Sequence, residues 1–327
     1  PTAGYFIGIE FNLNFIHCAM LNFLGEIAFE YCLKNSKDIS SDEIIAHICS
    51  LIDMAIKSVH GSRIFGIGIG IPGYFDSDTG VALEYDRIPT WKNIPIRKII
   101  EDKFGLPCYI DNNVTVMAFA YKWLKPDDCM EDSIFISIRS GARMVPIIKN
   151  ELLLSNNCFA GQIGHIKIQN SNRLCACGKR GCLNTEVSNA GIKSKITEGV
   201  LLSRFKELMQ LIDNDISKID IYTFVESVKL GHKDSVELLY ETAAYLGYAI
   251  GIICDIFAPK NVILSGELVK TGDIFIKAVS EEVRKNTIPD NFKNLSIFAS
   301  SFSDNIGALG AAAMVIQREF EFIRERV

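Results

Sequence analysis

Two stretches of this sequence read alike, and their recurrence limits the fold more than any other feature. The first holds three apolar strands: Tyr5-Phe-Ile-Gly-Ile-Glu10, Phe15-Ile-His-Cys-Ala-Met-Leu21 and Glu26-Ile-Ala-Phe-Glu-Tyr-Cys32. Polar turns at Asn12 to Asn14 and Asn22 to Gly25 separate them. The second repeats the arrangement with strand Ser133 to Ile138, turn Arg139 to Arg143, strand Met144 to Lys149, turn Asn150-Glu151 and strand Leu152 to Leu154. Two lobes that open on the same meander predict a duplicated α/β unit. The length of 327 residues agrees, because a single core of that size usually gives way to two domains.

Each meander leads into alternating helices and strands. A capping-box start, Ser40-Ser-Asp-Glu43, precedes a helical apolar pattern at Ile44, Ile45, Ile48 and Ile52. The run Phe65-Gly-Ile-Gly-Ile-Gly-Ile-Pro72 predicts a buried strand whose glycines permit close backbone approach, with a ligand-lining loop expected at Gly73. Next come a helix over Ile96 to Phe104, a strand over Pro107 to Ile110 and a helix from Asn112-Asn113 toward Leu124. Lys125 to Asp132 breaks the pattern as a linker or hinge would. Helices dominate from Gly191 to Phe257, a strand at Asn261 to Leu264 ends at Ser265-Gly266, and Gly307 to Met314 opens a closing helix whose small residues allow tight packing. The expected lobes are 1–124 with about 303–327, and 125–302.

Composition narrows the function classes. A net charge of −5 leaves no footprint for a nucleic-acid backbone on this stretch. Apolar runs such as Tyr245 to Phe257 are shorter than the roughly 20 residues of a membrane span. No signal-peptide pattern opens the sequence, so a cytoplasmic protein without a membrane partner is expected. It begins Pro1-Thr-Ala-Gly4 and enters a strand at once, as a trimmed or processed chain would. Cys18, Cys32, Cys49, Cys108, Cys129, Cys158 and Cys254 are scattered in apolar stretches and read as reduced core residues.

His165 and the segment Cys175-Ala-Cys177-Gly178-Lys-Arg-Gly181-Cys182 stand apart from them. One imidazole and three thiolates make a tetrahedral zinc set with no position left for water, and Gly178 and Gly181 let the loop fold back on itself. A structural zinc is expected.

Ala160-Gly-Gln-Ile-Gly-His165 and this cysteine cluster resemble the signature of the ROK family (repressors, open reading frames and sugar kinases). The resemblance extends along the chain to Gly66–Gly73, Trp91-Lys-Asn-Ile-Pro95, Tyr109-Ile-Asp-Asn-Asn113 and Gly307–Ala313. It implies the actin/hexokinase ATPase fold of two ribonuclease-H-like lobes, with a hexose in the cleft between them and a dimeric habit.

The departures from the resembled pattern lie at chemical positions. Asn113 stands where family kinases carry the aspartate that accepts the sugar hydroxyl proton, and a carboxamide cannot do so. Asp111 lies nearby, but the chain turns from strand to helix between the two. The glycine-rich phosphate turns of that fold are replaced by Glu10-Phe-Asn-Leu-Asn14 and Ser137-Ile-Arg-Ser-Gly-Ala-Arg143, which place a glutamate, a phenylalanine and a leucine toward the polyanion position. Arg139 and Arg143 read as solvated charge, and Ser265-Gly266 replaces a Gly-Gly-like pair. Gln162 and Asn184 replace sugar-side glutamates, whereas Asn112 and His165 match the family's sugar contacts. The resemblance therefore implies a ligand site of Asn112, Asn113, Gln162, His165 and Asn184, a zinc site of His165, Cys175, Cys177 and Cys182, and no use of ATP or magnesium.

Three functions remain open on the sequence. The first is the sugar-sensing effector domain of a ROK transcriptional regulator, dimeric and touching DNA only through a module ahead of Pro1. The second is an ATP-dependent sugar kinase, and the third is a kinase-like metabolite-binding protein with neither role.

Overall fold

The computed structural model describes residues 4–36, 38–124, 131–153, 160–169 and 171–324, divided into two compact units: Pro1–Met130 with Leu152–Ala160 and Phe302–Val327, and Glu131–Glu151 with Gly161–Ser301. The expected hinge at Lys125 to Asp132 lies outside the described residues up to 130, as does Leu154.

In the first unit, strands β1 (Tyr5–Phe11), β2 (Phe15–Asn22) and β3 (Ile27–Lys34) form the meander. β4 (Ile64–Ile71) then joins β1, and β8 (Cys108–Asn112) follows it. Three short strands, β5 (Tyr74–Asp76), β6 (Val81–Glu84) and β7 (Lys92–Ile94), make a separate antiparallel sheet. The main sheet runs β3-β2-β1-β4-β8, antiparallel within the meander and parallel from β1 onward. In the second unit, β9 (Ser133–Ile138), β10 (Ala142–Ile148), β11 (Glu151–Leu152), β12 (Asn261–Gly266) and β13 (Ser296–Ala299) repeat the order as β11-β10-β9-β12-β13. That shared order is the ribonuclease-H-like arrangement, so the chain has the doubled fold of the sugar-kinase and actin-like ATPases.

Glycine spacing in the first sheet answers to a helix. A Cβ built on Gly8 would lie 1.9 Å from the carbonyl oxygen of Ala308, and one on Gly68 would lie 2.0 Å from that of Ala311. The helix Ile306–Arg324 therefore rests its backbone directly on the sheet, and its small residues serve packing. Gly310 carries the same contact to the helix Asn113–Leu124, where a Cβ would meet the Val116 carbonyl oxygen at 1.6 Å. Ser40 caps the helix Ser41–Ser58 with the reciprocal Glu43 contact expected of a capping box.

Several expectations need correction. Gly73 lies in the bend between β4 and the small sheet, where a Cβ would lie 2.2 Å from the Glu84 carbonyl oxygen. Trp91 is fully buried with its ring 4.7 Å from Phe11, so Phe11 belongs to the core and does not face a polyanion. Cys32 is exposed, because β3 is the edge strand and most of its side chains are uncovered. Cys18, Cys108 and Cys254 are core residues, their thiols pushed up to about 12 by burial, and Cys49 is buried as well. Cys129 and Cys158 lie outside the described residues. The helix Lys233–Phe257 is long and apolar enough for a membrane span, but 56% of its apolar window is buried inside the protein, as in a core helix.

Candidate zinc centre and ligand-facing turns

The zinc-type donors converge. A ring nitrogen of His165 and the Sγ atoms of Cys175, Cys177 and Cys182 all lie within 4.8 Å of one another. His165 Nδ1 is 3.7 Å from Cys175 Sγ, and Cys177 Sγ is 3.7 Å from Cys182 Sγ. A zinc tetrahedron with Zn–S bonds of ~2.3 Å has edges of ~3.8 Å, so the donor set fits that ion. Backbone bonds shape the knuckle: Cys175 N–H donates to the Lys179 carbonyl and Gly178 N–H to the Cys175 carbonyl, both with Gly178 at φ 84°. Zinc would be held by these four side chains and would supply a structural cross-link, leaving no open coordination position for catalysis.

The donors differ in readiness. Burial, with help from the Lys179 charge, lowers the His165 pKa and so favours the neutral imidazole a metal requires. The Lys179 backbone N–H and the neighbouring thiols lower the pKa of Cys177, whereas burial and the same neighbours push Cys182 up to about 12. A cation among them removes that obstacle by favouring thiolate throughout.

The knuckle is bolted to the helices beside it by charge. Glu186, 2% exposed, pairs with Lys195 at 2.5 Å and accepts from Ser171 Oγ at 2.6 Å. Lys195 also reaches Glu241 at 2.6 Å and lies over the Tyr245 ring, while Arg173 grips Glu198 with both terminal nitrogens. Sequence reasoning missed this network, whose members are far apart along the chain.

The strand-to-helix turn of the first unit holds Asn113, the residue expected at the catalytic position of the resembled pattern. Asn112 ends β8 and caps the following helix, its Oδ1 accepting from Val114 N–H at 2.9 Å; Asn113 is the first helical residue and half-buried. Asp111 Oδ1 accepts from the Asn112 N–H at 2.7 Å.

In both hairpin turns an asparagine side chain holds backbone N–H groups. In the first, Asn12 Oδ1 accepts from the N–H groups of Asn14 at 2.8 Å and Phe15 at 3.0 Å. Asn35 Nδ2 donates to the carbonyls of Asn12 and Leu13, and Asn35 N–H donates to Asn14. In the second, Asn184 Oδ1 accepts from Ala142 N–H at 2.8 Å. The Asn12-x-Asn14 spacing is an Asx-turn signal that could have been read in the sequence. Arg139 and Arg143 are half-buried, which corrects their reading as solvated charge. Gly266, at φ 123°, is required by the Ile138 carbonyl oxygen 2.0 Å from where its Cβ would stand.

Of the residues expected to contact a ligand, Asn112 and Asn113 are neighbours in the first unit. In the second, Gln162 precedes and His165 ends a single turn of 3-10 helix, Ile163–His165, against whose Gly164 the Asn184 amide rests.

Comparison with known proteins agrees with this architecture. A xylose repressor of Caldicellulosiruptor bescii is 29% identical over 98% of this chain and 80% of its own length. A glucokinase of Halalkalibacterium halodurans is 26% identical over 96% of each. Among solved structures, a ROK family transcriptional regulator, a homologue of the Escherichia coli MLC protein, superposes with TM-score 0.84 at 20% identity, over 98% of this chain and 81% of that one. A ROK family glucokinase from Streptomyces griseus, in complex with glucose and AMPPNP, gives 0.82 at 22% identity, over 96% and 100%. The sequence profile of the ROK family matches residues 6–318, and the chain belongs to that family.

Proposed function

We propose that this chain is the effector domain of a ROK transcriptional regulator that binds a sugar without phosphorylating it. The observation that carries this reading is the self-satisfied first turn. A polyphosphate is held in this fold by backbone N–H groups of glycine-rich turns, and here two such donors are already bonded to Asn12. A phosphate would have to displace an intramolecular acceptor and would meet the carbonyls clamped by Asn35. Asn113 adds to this, since an amide cannot take the hydroxyl proton.

The ligand would be recognised by Asn112, Asn113, Gln162, His165 and Asn184, whose amides and imidazole offer donors and acceptors without charge. Zinc would be held by His165, Cys175, Cys177 and Cys182. The chain would act as a homodimer, and DNA contact would fall to a module outside residues 1–327. The end-to-end match to a glucokinase favours an ATP-dependent sugar kinase as the second reading.

The test pairs a thermal-shift panel of D-xylose, D-glucose and N-acetylglucosamine with an assay for sugar-dependent ADP release. A ligand that binds only the native state raises the melting temperature. The reading expects a shift with at least one sugar, none with ATP and magnesium, and no ADP release. Sugar-dependent ADP release overturns it in favour of the kinase.

A further inference from the structure

The amide of Asn184 sits where three backbone segments of the second unit meet. It follows zinc-type ligand Cys182 by two residues, and its Oδ1 accepts from the buried Ala142 N–H at 2.8 Å. It also rests on the residue preceding His165: a Cβ built on Gly164 would lie 2.0 Å from Asn184 Oδ1, 2.4 Å from its Cγ and 2.6 Å from its Nδ2. On the other side a Cβ on Gly141 would find the same amide nitrogen at 3.5 Å. The side chain is thus sandwiched between two glycines, one beside a zinc-type ligand and one in the β9–β10 turn.

We propose that Asn184 is a positioning residue through which the zinc-stapled knuckle holds the 139–142 turn. The physical chain is short. Drawing His165 and Cys182 onto one ion fixes Gly164 relative to residue 184, because each is within two residues of a ligand. That holds the Asn184 amide flat against Gly164, where only a residue without a Cβ leaves it room. The plane aims Oδ1 at Ala142 N–H, and the bond sets the turn that begins with Arg139, whose own N–H donates to the Gly141 carbonyl. Zinc, remote in sequence from residue 142, then decides whether that turn is held. The inference rests on the proposed zinc site and is independent of whether the chain phosphorylates sugars.

The experiment follows hydrogen exchange at the Ala142 amide in the whole protein, with zinc content measured on the same samples. Asn184→Ala should keep its zinc yet exchange Ala142 about five- to tenfold faster, the size expected from losing one buried hydrogen bond. Asn184→Asp, which keeps an acceptor of the same reach, should restore protection. Gly164→Ala should displace the amide and match Asn184→Ala without altering residue 184. Stripping zinc from the wild type with a chelator should accelerate Ala142 by a similar factor and add nothing further in Asn184→Ala. Zinc bound with Ala142 exchange unmoved in both alanine variants overturns the proposal alone. Equal acceleration by the chelator in the wild type and Asn184→Ala shows that zinc acts by another route and also overturns it. Protein that holds no zinc removes the zinc reading together with this one.

Discussion

Removal of the Glu186 charge should weaken the second unit markedly. The Glu186 side chain is 3% exposed and that of Lys195 7%, and they meet at 2.5 Å. Breaking a buried pair on one side usually costs about 3–5 kcal/mol, because the surviving charge stays out of water. Lys195 keeps Glu241 at 2.6 Å, whose side chain is half exposed, and the face of Tyr245 at 4.9 Å. That residual partnership lowers the expectation for Glu186→Gln to about 2–3 kcal/mol, below the usual range for a one-sided break. Urea titration followed by far-ultraviolet circular dichroism measures it as a lower midpoint at unchanged slope. Replacing both partners, Glu186→Leu with Lys195→Met, should cost less than Glu186→Leu alone, since no charge is then stranded. The pH dependence has a definite sign. Burial raises the Glu186 pKa, but Lys195 and the Ser171 hydroxyl outweigh it and hold the carboxyl below its ordinary 4.5. A depressed folded value means that the stabilisation is fully present above about pH 4.5 and is lost as pH falls through the folded pKa. The gap between wild type and Glu186→Gln should therefore close under acid. An unchanged midpoint in Glu186→Gln, or a double variant as weak as Glu186→Leu, refutes the reasoning.

Metal analysis of protein purified without chelator should find one zinc per chain, and Cys177→Ser should lower it; acid should release the metal because its thiolates must be protonated. Gly310→Ala pushes a Cβ to 1.6 Å from the Val116 carbonyl oxygen and should cost at least ~3 kcal/mol by chemical denaturation. Gly105→Ala, with open space but φ 64°, should cost only ~1 kcal/mol. Asn113→Asp alone should yield no sugar-dependent ADP release, because Asn12 still holds the N–H groups of the first turn.

What could be read from the sequence was whatever local period or spacing encodes. Both meanders were legible because their apolar strands are set off by polar turns, and the convergence of His165 with three cysteines because these donors cluster in one short segment. The β5–β7 sheet was not, since strands of three or four half-exposed residues carry no clean alternation. β13 escaped for the same reason. The exposure of Cys32 depends on β3 being an edge strand, which is a property of strand order. Arg139 and Arg143 were misread because a turn in sequence does not reveal which neighbours cover it.

Asn184 illustrates the remaining distance between a sequence pattern and a site. Against the resembled pattern, an asparagine in place of glutamate reads as a loss of charge. In the fold it is also a change of length: one methylene shorter, the side chain stops at Gly164 and meets an N–H of a residue 42 positions earlier. A glutamate would carry its carboxylate past that contact, so restoring the family residue at 184 should give up the bond to Ala142 even as it returns a charge. Asn184→Glu should then match Asn184→Ala in Ala142 exchange while Asn184→Asp does not, which separates reach from charge. If Asn184→Glu protects Ala142 as well as the wild type, the amide's length is not what sets the contact.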